Sequence, residues 1–301
     1  MNTILFGNGL NQITRSNKSW DSIIACDLGK EISNTLKYEH IYLTKDFKPV
    51  ENEKAHTDTS EYKLKKEIIK PFFKYASNAI YEQLLQLSVD HFITTNYDHA
   101  MHIAYENLGF VHDKAQSNIS ESIYNIRRKF CFDNRSLGEK RTIWKIHGDI
   151  DTPRSVMLGY DHYCGQIAKM NEYVKGTYKG FDFALDPISK RIKKEISILS
   201  WIDLCFVSDL HIIGFGLSFD EIDLWWLLNK RVRFKREGKA INNRIHFYDF
   251  PIDSNKKKIM EDFGIEVHEY KELREYKDDT EKYTELYQQI IKDIKMYIEN
   301  N

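Results

Sequence analysis

Five short, mainly apolar runs that stop abruptly at glycine or polar residues constrain this chain more than any other feature: Thr3–Phe6, His91–Thr94, Thr142–Ile146, Leu210–Ile213 and Arg244–Tyr248. Runs this brief suit strands buried on both faces, as in a parallel sheet. Stretches of helical periodicity separate them. Leu84, Leu85 and Leu87 belong to one, from about Tyr62 to Ser88, and Ile188, Ile192, Ile196 and Leu199 space another. Leu286, Ile290, Ile294 and Ile298 form an amphipathic face near the C-terminus. Strands alternating with helices predict an α/β fold, a Rossmann-type parallel sheet with helices on both faces. The chain reads as one domain over residues 1–301. Two polar, helical segments, about 30–88 and 153–200, are longer than a crossover needs and read as helical insertions forming a cap. Lys48–Ser60, with Pro49 and several charges, reads as an exposed loop.

Four of the strands end in residues fit for chemistry. Phe6-Gly7-Asn8-Gly9-Leu10-Asn11 follows the first. Glycines at a strand's carboxyl end let the backbone turn sharply and approach a pyrophosphate, which then meets amide groups and a helix N-terminus. A dinucleotide fingerprint wants a third glycine where Gln12 stands, so a plain turn explains this motif equally well. Phe92-Ile93-Thr94-Thr95-Asn96-Tyr97-Asp98 carries Asn96 and Asp98 past the second strand, where open α/β sheets bind ligands. Alternatively, Thr95 or Asn96 caps a helix starting near His99. Trp144-Lys145-Ile146-His147-Gly148-Asp149 ends the third. A lone histidine there is commonly structural, but this is the third strand end to carry a polar group. Ile212-Ile213-Gly214-Phe215-Gly216-Leu217-Ser218, followed by Asp220, Glu221 and Asp223, is a second glycine turn with a hydroxyl suited to a ribose or phosphate. Leu224-Trp225-Trp226-Leu227-Leu228 then reads as a buried helix face.

Composition removes several partners. With 44 Lys+Arg against 45 Asp+Glu, the net charge of −1 exerts no long-range pull on polyanions, and nucleic acid is not expected. The basic stretches Lys256–Lys258 and Lys230–Arg236 read as solvated faces. The four cysteines, Cys26, Cys131, Cys164 and Cys205, make no C-x-x-C pair, so neither a zinc site nor a redox dithiol is expected, and no metal. No run approaches the roughly 18 apolar residues of a membrane helix, and the first residues lack a signal-peptide pattern. A cytoplasmic protein is expected.

Together and in this order, the four motifs resemble the sirtuin-like superfamily. Gly7-Asn8-Gly9 is similar to its glycine loop, Asn96-Tyr97-Asp98 to its Asn-Ile-Asp motif, His147-Gly148 to its His-Gly pair, and Gly214–Ser218 to its Gly-Thr-Ser segment. The wording Thr-Thr-Asn-Tyr-Asp and Ile-His-Gly-Asp resembles the bacterial branch associated with anti-phage defence. The resemblance implies NAD as substrate, with Asn96 and His147 as the catalytic pair and Asp98 at the nicotinamide carboxamide. It places Gly7, Asn8, Gly9, Asn11, Thr95, Gly214, Gly216 and Ser218 along the dinucleotide, and Asp249 at the adenosine ribose. Deacylase sirtuins carry two paired-cysteine motifs, whereas the segment between His147 and Gly214 holds only Cys164 and Cys205. That departure favours water as acceptor, hence an NAD glycohydrolase that depletes NAD. A homo-oligomer restrained by a sensor or activator encoded nearby is implied. A deacylase, an ADP-ribosyltransferase or a silent nucleotide-binding regulator are the alternatives.

Overall fold

The computed structural model describes residues 1–14, 17, 23–24, 32–45, 60–121, 123–194, 196–272 and 274–301. Its strands are β1 (Asn2–Phe6), β2 (His91–Thr94), β3 (Val111–Asn118), β4 (Lys129–Asn134), β5 (Glu139–Lys145), β6 (Asp209–Ile213), β7 (Ile245–Asp249) and β8 (Glu266–Glu269). They form one sheet in the order β3-β4-β5-β2-β1-β6-β7-β8. The α-helices of the described residues are α1 (Gly9–Gln12), α2 (Asn34–Thr44), α3 (Ser60–Ile69), α4 (Ala79–Leu85), α5 (Ala100–Asn107), α6 (Tyr160–Lys175), α7 (Ile188–Arg191), α8 (Trp201–Val207), α9 (Ile222–Arg236), α10 (Ser254–Asp262) and α11 (Asp279–Asn300).

All five predicted strands are present, and both faces of the sheet are covered. In β1, Leu5 joins a cluster with Trp201, Leu224 and Phe247, while Ile4 and Phe6 join another with Tyr81, Ala104 and Ile290. Alternate residues of one strand thus enter opposite cores, which is why the run is apolar throughout rather than alternating. The first cluster is closed by α6, α8 and α9, the second by α4, α5 and α11.

The α/β fold is the expected one, with a sheet that is mainly rather than wholly parallel. The chain from β5 through β8 is parallel by way of β2, β1, β6 and β7, but β3-β4 and β4-β5 pair antiparallel. β3 and β8 are edge strands with polar, largely exposed sequences, and β4 alternates buried and half-buried residues. None has the continuous apolar run that marks a central strand, and so all three escape a search for such runs.

The predicted helix over Tyr62–Ser88 is two helices. Pro71 sits in a 3₁₀ turn, Lys70–Lys74, and Asn78 then caps α4 by accepting from the N–H groups of Ile80 and Tyr81. The helix spaced by Ile188 to Leu199 stops at Arg191, and Ser200 caps α8 instead. The predicted cap is only part of each insertion. Tyr38, Leu64, Ile68 and Phe72 gather with Tyr97, Ile150, Val156 and Leu158 in a third cluster over the loops beyond β2 and β5. By contrast, α4 and α6 cover the sheet's faces. Of the predicted loop Lys48–Ser60, residues 48–59 lie outside the described residues and Ser60 opens α3.

The chain runs from β1 to β2 beside it, jumps to edge strand β3 and returns through β4 to β5, then crosses to β6 on β1's other side and continues to β7 and β8. The carboxyl ends of β1 and β6 therefore flank a topological switch point, where doubly wound sheets bind ligands.

Candidate active site

At that switch point a cleft of about 350 Å³ opens, lined by Asn8, Gly9, Gln12, Thr95, Gly214 to Ser218, Glu221, Asp249, Phe250, Tyr283 and Tyr287. Its size falls within the roughly 300–1,000 Å³ of ligand clefts. Loops from β1, β2, β6 and β7 build it, and α11 adds the two tyrosines.

The two glycine turns are packed on one another. Gly9 N donates to Gly214 O at 2.8 Å. A Cβ on Gly9 would stand 2.7 Å from that same oxygen and 2.7 Å from Tyr287 Oη, and one on Gly7 would strike the Phe215 side chain. Gly7 and Gly9 are thus demanded by the protein's own packing, at Gly7 against a side chain and at Gly9 against backbone. The sequence reading also gave the turn a helix N-terminus, but α1 has four residues and too short an axis for a useful dipole. Gly216 differs: it lines the cleft, and a Cβ there would meet no protein atom within 4 Å. Leu217 beside it has φ 41°, a left-handed backbone held by a side chain buried in the core. Asn8 Nδ2 is a buried donor without a partner, in a residue of the cleft lining.

Thr94 and Lys145 are register partners on β2 and β5, so Asn96 and His147 follow each by two residues on adjacent chains. His147 is 3% exposed and does not line the cleft. Its Nε2 lies 3.1 Å from Asp223 Oδ2 and its Nδ1 3.7 Å from Glu221 Oε2, while the Tyr163 ring meets its ring edge-on. Gly148 turns the chain behind it at φ +114°, where a Cβ would collide with the backbone of Ser155, and His147 O accepts from Met157 N. Burial pushes His147 toward neutrality, but the Asp223 charge and hydrogen bond, then Glu221, outweigh it and raise the imidazole above its ordinary value.

Glu221 is the member of this group that reaches the cleft. Its side chain is 19% exposed, and burial, with Asp223 and Asp220 adding repulsion against the pull of His147, raises its carboxyl to about 7. The folded state therefore holds a proton that the unfolded chain releases above pH 4.5. Glu221 favours folding below that pH, and the contribution is lost as pH rises through about 7. Glu221→Gln is expected to gain stability relative to wild type across that window, on the order of 2 kcal/mol. Urea unfolding of both proteins across the window checks it; a pH-independent difference would refute it.

Asn96 and Asp98 belong to a buried network rather than to the open cleft. Asn11 Nδ2 donates to Asp98 Oδ2 at 2.8 Å and to Asn8 Oδ1 at 3.0 Å, and Tyr81 Oη donates to Asn11 Oδ1 at 2.7 Å. Asn96 Nδ2 lies 3.5 Å from Tyr81 Oη. Asp98 Oδ1 accepts from Ala100 N, so the turn before α5 is served by Asp98 and not by Thr95 or Asn96. Of the residues expected along a nucleotide, Asn8, Gly9, Thr95, Gly214, Gly216, Ser218 and Asp249 line the cleft, whereas Gly7, Asn11 and Asp98 stand behind it. Glu221 and Asp223 carry no assigned role in the sequence reading, and Phe250, Tyr283 and Tyr287 are absent from it. Glu221 and Asp223 were visible as acids after a glycine turn. The Phe250, Tyr283 and Tyr287 rings, with centroids 5.3 to 6.4 Å apart, come from distant segments, and no local pattern announces them.

The family comparison agrees with this geometry. A family model described as a SIR2-like domain matches residues 90–267, more than half of the 301-residue chain. No curated protein matches. Among the described residues no helix is long and apolar enough to cross a membrane. The chain belongs to the SIR2-like domain family.

Proposed function

We propose that this chain hydrolyses NAD at the nicotinamide–ribose bond, releasing nicotinamide and ADP-ribose, as a regulated effector of anti-phage defence. The observation that carries the chemistry is Glu221, which is raised to about 7, backed by His147 and open to a cleft at the switch point of a SIR2-like fold. Cleavage breaks the bond from the ribose anomeric carbon to the pyridinium nitrogen, and neutral nicotinamide leaves with the electron pair. Positive charge grows on the ribose, where a carboxylate stabilises it. Water then forms the new C–O bond, and its proton passes to Glu221. His147, held by Asp223 and raised above its ordinary pKa, is a positioning residue that fixes the Glu221 carboxylate.

Binding is shared along the cleft. The free Asn8 Nδ2 donor and the open face of Gly216 suit phosphate or ribose oxygens. Asp249, ending β7, suits ribose hydroxyls, and Tyr283 with Phe250 offers a wall for adenine. Tyr283→Ala in a catalytically dead background is expected to raise the NAD dissociation constant about 10-fold, since base–aromatic stacking is worth about 1–3 kcal/mol. Calorimetric titration measures it, and an unchanged constant would remove the aromatic wall from the site.

The test of the activity is to incubate purified chain with NAD and follow nicotinamide and ADP-ribose, with and without an acylated peptide. Release in water alone, unaffected by peptide, supports hydrolysis. Release that needs the peptide makes it a deacylase, ADP-ribose left on protein makes it a transferase, and NAD bound without turnover makes it a silent regulator. An unrestrained enzyme of this kind would drain its own cell, so the proposal includes a homo-oligomer governed by a partner sensor. A monomer fully active by itself in light scattering and assay would remove that part.

A further inference from the structure

Away from the NAD cleft, three metal-capable side chains converge from the last two strands. His246 on β7 is the register partner of Glu266 on edge strand β8, and Tyr248 is the partner of His268. Partners in register project on the same face, so His246, Glu266 and His268 share one patch beside α11. His246 Nδ1 lies 3.1 Å from His268 Nε2 and 3.4 Å from Glu266 Oε2, and the three atoms all lie within 4.8 Å of one another. We propose that His246, Glu266 and His268 bind a zinc ion, with water completing a tetrahedral site.

The distances fit the ion. Zinc bonds of about 2.0–2.1 Å at tetrahedral angles separate neighbouring donors by about 3.3 Å. The rings are already fixed. His246 stacks on His211 with centroids 4.9 Å apart, and His268 stacks on Tyr248 at 4.7 Å. His246 Nδ1 faces both His268 Nε2 and Glu266 Oε2, so one cation placed between them would meet all three donor atoms. His246 Nε2 is buried without a partner, so the ring's polar contacts lie on the Nδ1 side.

The ion also has a way in. A cleft of about 340 Å³ is lined by His268, Glu269, Tyr270, Lys271, Gln289 and Asp293. The Gln289 side chain also lines it, and its Oε1 is buried without a partner. The site would clamp the short edge strand β8 to β7, three residues back from Asp249 in the NAD cleft. Cysteine spacing gave no hint of it, because its ligands come from two strands and include no thiolate.

The test is a zinc titration of the chelator-stripped full chain by calorimetry, with melting curves in parallel. The expected result is one site per chain that raises the melting temperature. His268→Ala is expected to weaken binding by at least about 100-fold, the upper end for outer-shell losses. Glu266→Gln, on a half-exposed side chain, is expected to weaken it about 10-fold or more. Cobalt in place of zinc should give the intense visible bands of a tetrahedral site in wild type and lose them in both variants. No uptake by the wild type overturns the proposal. Equal affinity in both variants also overturns it, because the ion would then sit on His99, Asp149 and Asp151 or on His147, Glu221 and Asp223. If His268→Ala does not fold, Glu266→Gln and the cobalt spectrum decide.

Discussion

Glu221→Gln is expected to lower NAD turnover by about 10²–10⁴-fold, the usual contribution of a positioned acid–base group. The amide keeps the shape of the side chain and its place in the cleft, so NAD affinity should stay within a few-fold. Because the carboxyl sits at about 7, wild-type turnover should climb as pH rises through neutrality while the residual rate of the variant stays flat. His147→Ala is expected to lose a similar factor by another route. It removes the imidazole beside Glu221, leaves Asp223 Oδ2 without its His147 partner, and raises the Glu221 carboxyl further. Asp223→Asn keeps a hydrogen-bonding side chain against His147 but withdraws the charge that raises the imidazole above its ordinary value, so a partial loss is expected. Single-turnover kinetics of the three variants, each checked by its melting curve, separate the roles. A folded Glu221→Gln enzyme at wild-type speed would return the proton transfer to His147 itself.

The sheet was legible because its central strands are buried on both faces, which leaves their sequences continuously apolar and ending in glycine or polar residues. The edges were not, because β3, β4 and β8 each expose a face or a margin and spend it on polar side chains. The site was legible where it follows a strand end: Asn8, Thr95, Gly214 and Asp249 each lie within two residues of one. It was not legible in depth. Asn96, Asp98 and His147 have the motif spacing of residues that would touch a ligand, yet each is buried and none lines the cleft. Sequence order places a residue at a strand's end but says nothing of which neighbour stands in front. Glu221 lines the cleft and His147 does not, because long-range packing sets the Glu221 and Asp223 carboxylates against the imidazole, an outcome with no local signature.

Gly9→Val is expected to destabilise the protein as well as weaken NAD binding, and the two effects are separable. Gly9 lies outside the left-handed region of backbone space, so valine is not barred by conformation there. The obstacle is contact. The first atom of the side chain would sit 2.7 Å from Gly214 O, a backbone atom that cannot swing aside, and the hydrogen bond from Gly9 N to that oxygen would be strained with it. Overpacking typically costs about 1–3 kcal/mol, and losing the hydrogen bond adds about 0.5–1.5 kcal/mol. A fall of several degrees in melting temperature follows for a chain of this size. The β6 loop must move, and with it Gly216 to Ser218 of the cleft. Gly216→Ala isolates the binding half of the effect. Its Cβ would meet no protein atom within 4 Å and its φ is ordinary, so the melting temperature should hold while NAD, pressed against that surface, binds more weakly. Melting curves and calorimetry on both variants in the His147→Ala background give the answer. An unshifted melting temperature for Gly9→Val would show that the two glycine turns are not packed as tightly as these distances require. Unchanged NAD affinity for Gly216→Ala would place the pyrophosphate away from the β6 loop.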